Sequence, residues 1–279
     1  MLSYLHGYHA GNEADVLKHS TLVFCLNYLK QKEKPLLCVD THAGAGFYDL
    51  SNPINTEWKK GIGKLRDVAA SLPPMLLDYV KLSEEGRYPG SSVIMAAKLS
   101  RGDRLVCYEL HPGEFSALKN SMEEFRGDKK PVIEVRREDG LGGLKSLLPP
   151  PSRRGLIFID PSWEEKSEYE SVPRSVREGL KRFPEGTFII WYPLLTLPKV
   201  KNAASQRDLL FGLSNGKRCR VELYDTAASH SGSPRGMYGS GLVIYNPPWT
   251  LFSSLEEVLP GIALSLFNDE RGWRLDWEE

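Results

Sequence analysis

The apolar run at 155–160 ends in Asp160-Pro161-Ser162-Trp163, a combination of residue types that suits chemistry on an amine. The Asp160 carboxylate and the Pro161 carbonyl can each accept one N–H of an exocyclic amine, and the proline ring fixes the direction of that carbonyl. Such hydrogen bonds favour pyramidalisation of a nitrogen whose lone pair is otherwise delocalised into a ring, and Asp160 can take the proton it releases. Trp163 offers a flat face for a base drawn out of its helix. The plain structural alternative is an Asp-Pro turn that ends a strand.

A second group of residues suits a bound nucleoside. The run at 36–40 ends in Asp40-Thr41-His42-Ala43-Gly44-Ala45-Gly46, where glycines let the backbone pass close to a ligand. The third glycine of a dinucleotide fingerprint is missing, because position 49 is Asp49. A tight structural turn, S-adenosylmethionine and a nicotinamide cofactor all fit that loop alone. Glu109, at the end of the next strand, stands where a carboxylate takes both ribose hydroxyls of an adenosyl ligand. Asp139-Gly140 follows the third strand, its carboxylate suited to an adenine amine. Together these favour S-adenosylmethionine, and the turn at 160–163 resembles the D/N-P-P-Y/F/W signature of methyltransferases acting on exocyclic amines. Asn246-Pro247-Pro248-Trp249 matches that signature more literally, but it follows the last strand of the regular alternation, so Asp160 is the expected catalytic residue.

The elements that must position these groups alternate between strand and helix, which indicates an α/β fold. Strands are expected at 36–40, 104–110, 132–136, 155–160, 187–192, 218–224 and 241–246, forming one doubly wound, seven-stranded sheet. Residues 273–277 alternate like a further edge strand. Helical spacing marks 113–126, 167–183, 199–215 and 251–266. Asn12 can cap a helix running to residue 30. Residues 47–88 are too many for a βα loop and are expected to form a small inserted helical subdomain within the single domain of 1–279. Residues 1–11, polar and aromatic, are expected to be an arm that is mobile without ligand.

Composition narrows the field. The 36 basic and 36 acidic side chains cancel, which excludes nucleic-acid binding by bulk field and leaves only local patches. Four scattered cysteines argue against a zinc site or a disulfide framework and favour a reducing cytoplasm. The apolar runs are about half the length of a membrane span, and no leader pattern opens the chain. Basic clusters at 129–137, 153–154, 174–182 and 217–220 are candidate RNA contacts or plain solvated faces. In the loop 231–240, Arg235 and Tyr238 between glycines suit a single-stranded base.

Several blocks together resemble one family: Met1-Leu2-Ser3-Tyr4, the stretch from His9 to His19, the loop from Asp40 to Gly46, Tyr88-Pro89-Gly90-Ser91, Glu109-Leu110-His111-Pro112, Ser152-Arg153-Arg154-Gly155-Leu156 and Asn246-Pro247-Pro248-Trp249. They are similar to the bacterial 23S ribosomal RNA adenine-N6 methyltransferases over nearly the whole chain. That resemblance implies a monomeric class I (Rossmann-like) methyltransferase using S-adenosylmethionine on one adenine. It implies cofactor contacts from His19, His42, Gly44, Ser91, Glu109, Asp139, Gly140 and Asp160, catalysis at Asp160, substrate contact by Tyr4, and Lys18 beside them. The family has a second proline and a tyrosine where this chain has Ser162 and Trp163. A DNA adenine methyltransferase and a catalytically impaired RNA-binding relative are the competing readings, and a dehydrogenase leaves Asp-Pro-Ser-Trp without a role.

Overall fold

The computed structural model describes residues 6–196, 203–230 and 236–279. The apolar runs form the strands β1 (Leu37–Asp40), β2 (Phe47–Asp49), β3 (Arg87–Pro89), β4 (Arg104–Tyr108), β5 (Val132–Arg136), β6 (Gly155–Ile159), β7 (Thr187–Leu195), β8 (Arg218–Tyr224), β9 (Met237–Tyr245) and β10 (Trp273–Glu278). The helices are α1 (Glu13–Leu29), α2 (Ile62–Asp67), α3 (Pro74–Val80), α4 (Ser91–Lys98), α5 (Pro112–Glu123), α6 (Gly140–Leu147), α7 (Glu168–Arg182), α8 (Ala203–Phe211), α9 (Thr226–His230) and α10 (Leu251–Phe267).

One sheet runs β10-β8-β9-β7-β6-β1-β4-β5. β1 pairs in parallel with β4 and β6, and β6 in parallel with β7. β9 lies antiparallel between β7 and β8. Strands β1 and β6 are buried on both faces, which is why they read as unbroken apolar runs. From β1 the chain builds β4 and β5 on one side and then returns to build β6 on the other. That reversal opens a crevice at the carboxyl ends of the central strands, where ligands bind in sheets of this kind.

The expected doubly wound sheet forms, but with eight strands rather than seven. The extra one is β10, antiparallel to β8 from Trp273 opposite Leu223 to Glu278 opposite Arg218. Within 47–88 lie the helices α2 and α3, and β2 and β3 pair antiparallel, Phe47 opposite Pro89. Strands of three residues carry too few alternations to be read as strands.

Helix α1 begins at Asn12, whose Oδ1 accepts from the N–H groups of Ala14 (3.0 Å) and Asp15 (3.1 Å). Its Nδ2 donates to Glu57 (3.1 Å), tying the cap to the inserted segment. Every residue from Ala14 to Val23 is buried, because α2, α3, α4 and α10 pack around α1 together with β9. Polar residues on that helix must therefore find partners inside the protein. Replacing Asn12 by alanine removes the cap and is expected to lower unfolding free energy by about 1–2 kcal/mol in urea melts, a loss below about 0.3 kcal/mol contradicting the role.

Candidate functional site

A cavity of about 330 Å3 opens at the carboxyl ends of the central strands. The loop after β1 brings Thr41, His42, Ala43 and Gly44, and β4 leads to Glu109 and His111. Asp139 and Gly140 arrive after β5, and Asp160, Pro161 and Ser162 after β6. His19 enters from α1 and Ser91 from the start of α4. All the residues assigned from sequence to the cofactor, His19, His42, Gly44, Ser91, Glu109, Asp139, Gly140 and Asp160, thus line one cavity.

Backbone donors aim the acids. Glu109 accepts from the N–H of Gly44 (2.9 Å) and of His111 (2.7 Å), one on each carboxylate oxygen. One lone pair on each oxygen is left, which suits the paired hydroxyls of a ribose. Asp139 caps α6, accepting from Leu141 and Gly142 (both 3.1 Å). Gly44 sits at φ +59°, and a Cβ there would lie 2.0 Å from the Tyr48 hydroxyl. A Cβ on Gly140 would lie 2.3 Å from the Thr41 carbonyl oxygen, so the two loops meet only through glycine. This close-packed loop pair, with its oriented carboxylates, fits an adenosyl group.

Behind the loop, Asp40 is fully buried. Burial pushes its carboxyl up to about 7, against the Ser91 hydroxyl (2.6 Å) and the His42 N–H (3.2 Å), which both donate to it. Burial pushes His19 and His42 down to about 4, so both are neutral at pH 7. Lys18 carries the positive charge. Its Nζ lies 2.8 Å from Asp160 Oδ2, 2.9 Å from Asp15 Oδ1 and 4.8 Å from the centre of the Trp191 ring. Asp15 has no exposed surface and also accepts from the Gly11 N–H (2.8 Å), with His6 Nε2 at 3.0 Å. Burial opposes charge on Asp15, but Lys18, His6 and His19 outweigh it and hold the carboxyl well below its usual range. His6 lines the cavity too, so residues 6–11 reach the site through Asp15 and Lys18.

Trp163 is not where its stacking role requires. Its backbone turns at φ +56° and its ring is 2 % exposed. The indole N–H donates to the Trp191 carbonyl (3.0 Å) and the ring packs edge-on against Tyr169. That orientation directs the ring into the wall of a second cavity of about 220 Å3, which Tyr238 also lines. Trp191, from β7, faces the first cavity instead. Tyr4 and Arg235 lie outside the described residues. Asn246 ends β9, which runs antiparallel to β7, so it emerges at the opposite edge of the sheet, its amide donating to the carbonyls of Pro184 (2.6 Å) and Gly186 (2.7 Å).

Several residues of the basic clusters are ion-paired within the chain. Arg136 pairs with Glu134, Arg182 with Glu178, and Arg220 with Asp208 and Asp276. The sequence analysis missed Asp15, His6, Tyr48 and Trp191. The signal for Asp15 was its spacing, since Asp15, Lys18 and His19 fall at i, i+3 and i+4 on one face of α1.

The family described as "Ribosomal RNA large subunit methyltransferase D, RlmJ" matches residues 33–279. The chain belongs to that family. A "Ribosomal RNA large subunit methyltransferase J" of Haemophilus influenzae is 39% identical, with 99% of each chain covered. One of the same description from Escherichia coli K12 is 38% identical over 95% of this chain and 94% of its own. A solved structure from Legionella pneumophila, 34% identical, superposes with a TM-score of 0.83 and covers 97% of this chain and 98% of that one. The protein is a methyltransferase, and S-adenosylmethionine is its cofactor. Among the described residues no group of acids, histidines and cysteines is placed to hold a metal, and no helix is long and apolar enough to cross a membrane.

The buried titratable groups set a pH dependence. Between pH 6.5 and 4 the unfolded chain protonates His19 and His42 while the folded one does not, so stability falls as pH drops. Asp40 opposes this, because its raised value lets the folded state bind a proton that the unfolded chain releases. With two groups against one, the melting temperature is expected to be lower at pH 5 than at pH 7, and Asp40→Asn to widen the difference. An equal or higher melting temperature at pH 5 would contradict the burial of neutral imidazoles.

Proposed function

We propose that the chain transfers the methyl group of S-adenosylmethionine to the exocyclic N6 amine of an adenine in 23S ribosomal RNA, acting as a cytoplasmic monomer. The observation that carries this reading is the position of Asp160 and Pro161, at the end of β6 and on the wall shared with Glu109 and Asp139. An N–H donor, the Lys18 ammonium, already lies 2.8 Å from Asp160 Oδ2, which is the bond a substrate amine would make.

Bound S-adenosylmethionine supplies an electrophilic methyl group on a sulfonium centre. Glu109 holds the ribose hydroxyls, and Asp139 and Gly140 border the adenine. His19, His42 and Ser91 meet the amino-acid end. The carboxylates of Glu109, Asp139 and Asp160 around one cavity favour a cationic ligand. Asp160 accepts one N–H of the target amine and the Pro161 carbonyl the other, which turns the nitrogen lone pair toward the methyl. Asp160 then receives the proton that the nitrogen sheds. Lys18, fixed by Asp15, keeps the Asp160 carboxylate oriented when no amine is present.

The names of the relatives support ribosomal RNA rather than DNA, a choice the amine motif alone leaves open. Substrate contact is assigned to Tyr4, Lys18, Arg235 and Tyr238. Ser162, at the position of the family's second proline, accepts from the Glu164 N–H (3.3 Å) and faces the Glu168 carboxylate, so the turn is held by side-chain hydrogen bonds instead of a ring.

Asp160→Ala is expected to abolish methyl incorporation into RNA while binding of S-adenosylhomocysteine, measured by calorimetry, stays within about tenfold. Asn246→Ala should keep its activity and lose only stability, and the reverse pattern would overturn the assignment. Absence of turnover in the unaltered protein would favour the impaired RNA-binding relative. Glu109→Ala should weaken cofactor binding by about 1–3 kcal/mol, the scale for losing hydrogen bonds to a charged group. Unchanged affinity would remove Glu109 from the ribose.

A further inference from the structure

The inserted segment reaches the cavity through two tyrosines and a histidine. Tyr88 of β3 places its hydroxyl 2.7 Å from Nδ1 of His19, and Tyr79 of α3 places its own 2.8 Å from that of Tyr88. All three side chains are buried, and His19 alone of the three lines the cavity. Burial keeps each neutral at pH 7, pushing the imidazole down to about 4 and both phenols upward.

Counting protons sets the direction of this chain. If His19 donated from Nδ1, one of the two tyrosine protons would point at nothing whichever hydroxyl donated to the other, since Tyr79 and His19 are the hydrogen-bond partners of Tyr88, and Tyr88 that of Tyr79, among the described residues. A buried donor without an acceptor is costly. The arrangement that uses every proton runs from Tyr79 to Tyr88 to His19 Nδ1 and leaves the imidazole proton on Nε2. No described residue accepts from Nε2, so the ligand in the cavity is what that proton is left to meet.

The surroundings narrow which ligand atom that is. Asp160, Glu109 and Asp139 border the cavity and Asp40 lies behind it, so ammonium, hydroxyl and amine groups of a nucleoside–amino acid find acceptors readily. A ligand carboxylate needs donors in this acidic surround, and Nε2–H of His19 is one fixed in direction. We propose that Tyr79 and Tyr88 are positioning residues that lock His19 as its Nε2–H tautomer, so that the inserted segment aims a neutral hydrogen-bond donor at the amino-acid carboxylate of the cofactor. This rests on the assignment of His19 to the amino-acid end of S-adenosylmethionine made above.

Nitrogen-15 spectra of histidine-labelled full-length protein, with His19 identified by the signal missing in His19→Gln, read the tautomer directly. A protonated Nε2 and an unprotonated Nδ1 are expected, and the opposite assignment would overturn the proposal without either tyrosine variant needing to fold. In calorimetry with S-adenosylhomocysteine, Tyr88→Phe should weaken binding about tenfold and Tyr79→Phe about threefold, since each frees the tautomer to a different degree. Binding of 5′-methylthioadenosine, which lacks the amino-acid end, should be the same in both variants as in the unaltered protein. In a His19→Gln background Tyr88→Phe should cost nothing further, because the amide donates whatever the tyrosine does. Equal losses for the two ligands would mean that the tyrosines only support the fold, which refutes the proposal. An unaltered protein that binds neither ligand would instead sink the cofactor assignment, and this proposal with it.

Discussion

A lysine ammonium buried between two carboxylates fixes where α1 sits against the sheet. Lys18 lies 2.9 Å from Asp15 on its own helix and 2.8 Å from Asp160 at the end of β6. Removing an ion from water costs several kcal/mol, and breaking such a group strands a charge in the interior, so neither partner can drift away alone. The demand spreads outward. Asp15 needs donors beyond Lys18 and finds them in Gly11 and His6, which holds residues 6–11 against the site. Water is kept from α1 by α3 and α4, with α2, α10 and β9 beside them. The helix that precedes the sheet is therefore tied to the wall of the cavity at Asp160.

Within the cavity, neutral imidazoles and carboxylates line the same wall. Desolvation holds the imidazoles of His19 and His42 neutral, and backbone N–H groups orient the Glu109 and Asp139 carboxylates. Donors that carry no charge and acceptors that do make a surface suited to a ligand with a sulfonium and an ammonium on one side and a carboxylate on the other. Trp191 adds an aromatic face beneath the Lys18 ammonium, a place where cations are favoured.

The acids of the cavity were legible because a doubly wound sheet sends the carboxyl ends of its parallel strands to one edge, so Glu109, Asp139 and Asp160 could be grouped from strand order alone. Choosing Asp160 over the more literal Asn246 signature needed that order, since β9 runs the other way and carries Asn246 to the far edge. Other features were hidden for particular reasons. Trp163 turns at positive φ, which no residue pattern announces, and its ring leaves the site. The helix at 13–29 reads as amphipathic until the inserted segment covers its second face, so the meaning of the Asp15, Lys18 and His19 spacing depends on tertiary contacts. The same holds for Tyr79 and Tyr88, whose approach to His19 depends on how the inserted segment folds back onto α1. Basic clusters read as patches although Arg220 is paired with Asp208 on α8 and with Asp276 on β10.

The central claim is that this cavity delivers a methyl group to the amine of an adenine in ribosomal RNA. Its most direct test is to incubate the purified protein with methyl-labelled S-adenosylmethionine and 23S ribosomal RNA taken from cells lacking the gene, then digest the RNA and separate the nucleosides by mass. The account predicts label in N6-methyladenosine from a single site. Label in any other nucleoside, or none in this RNA, would contradict it.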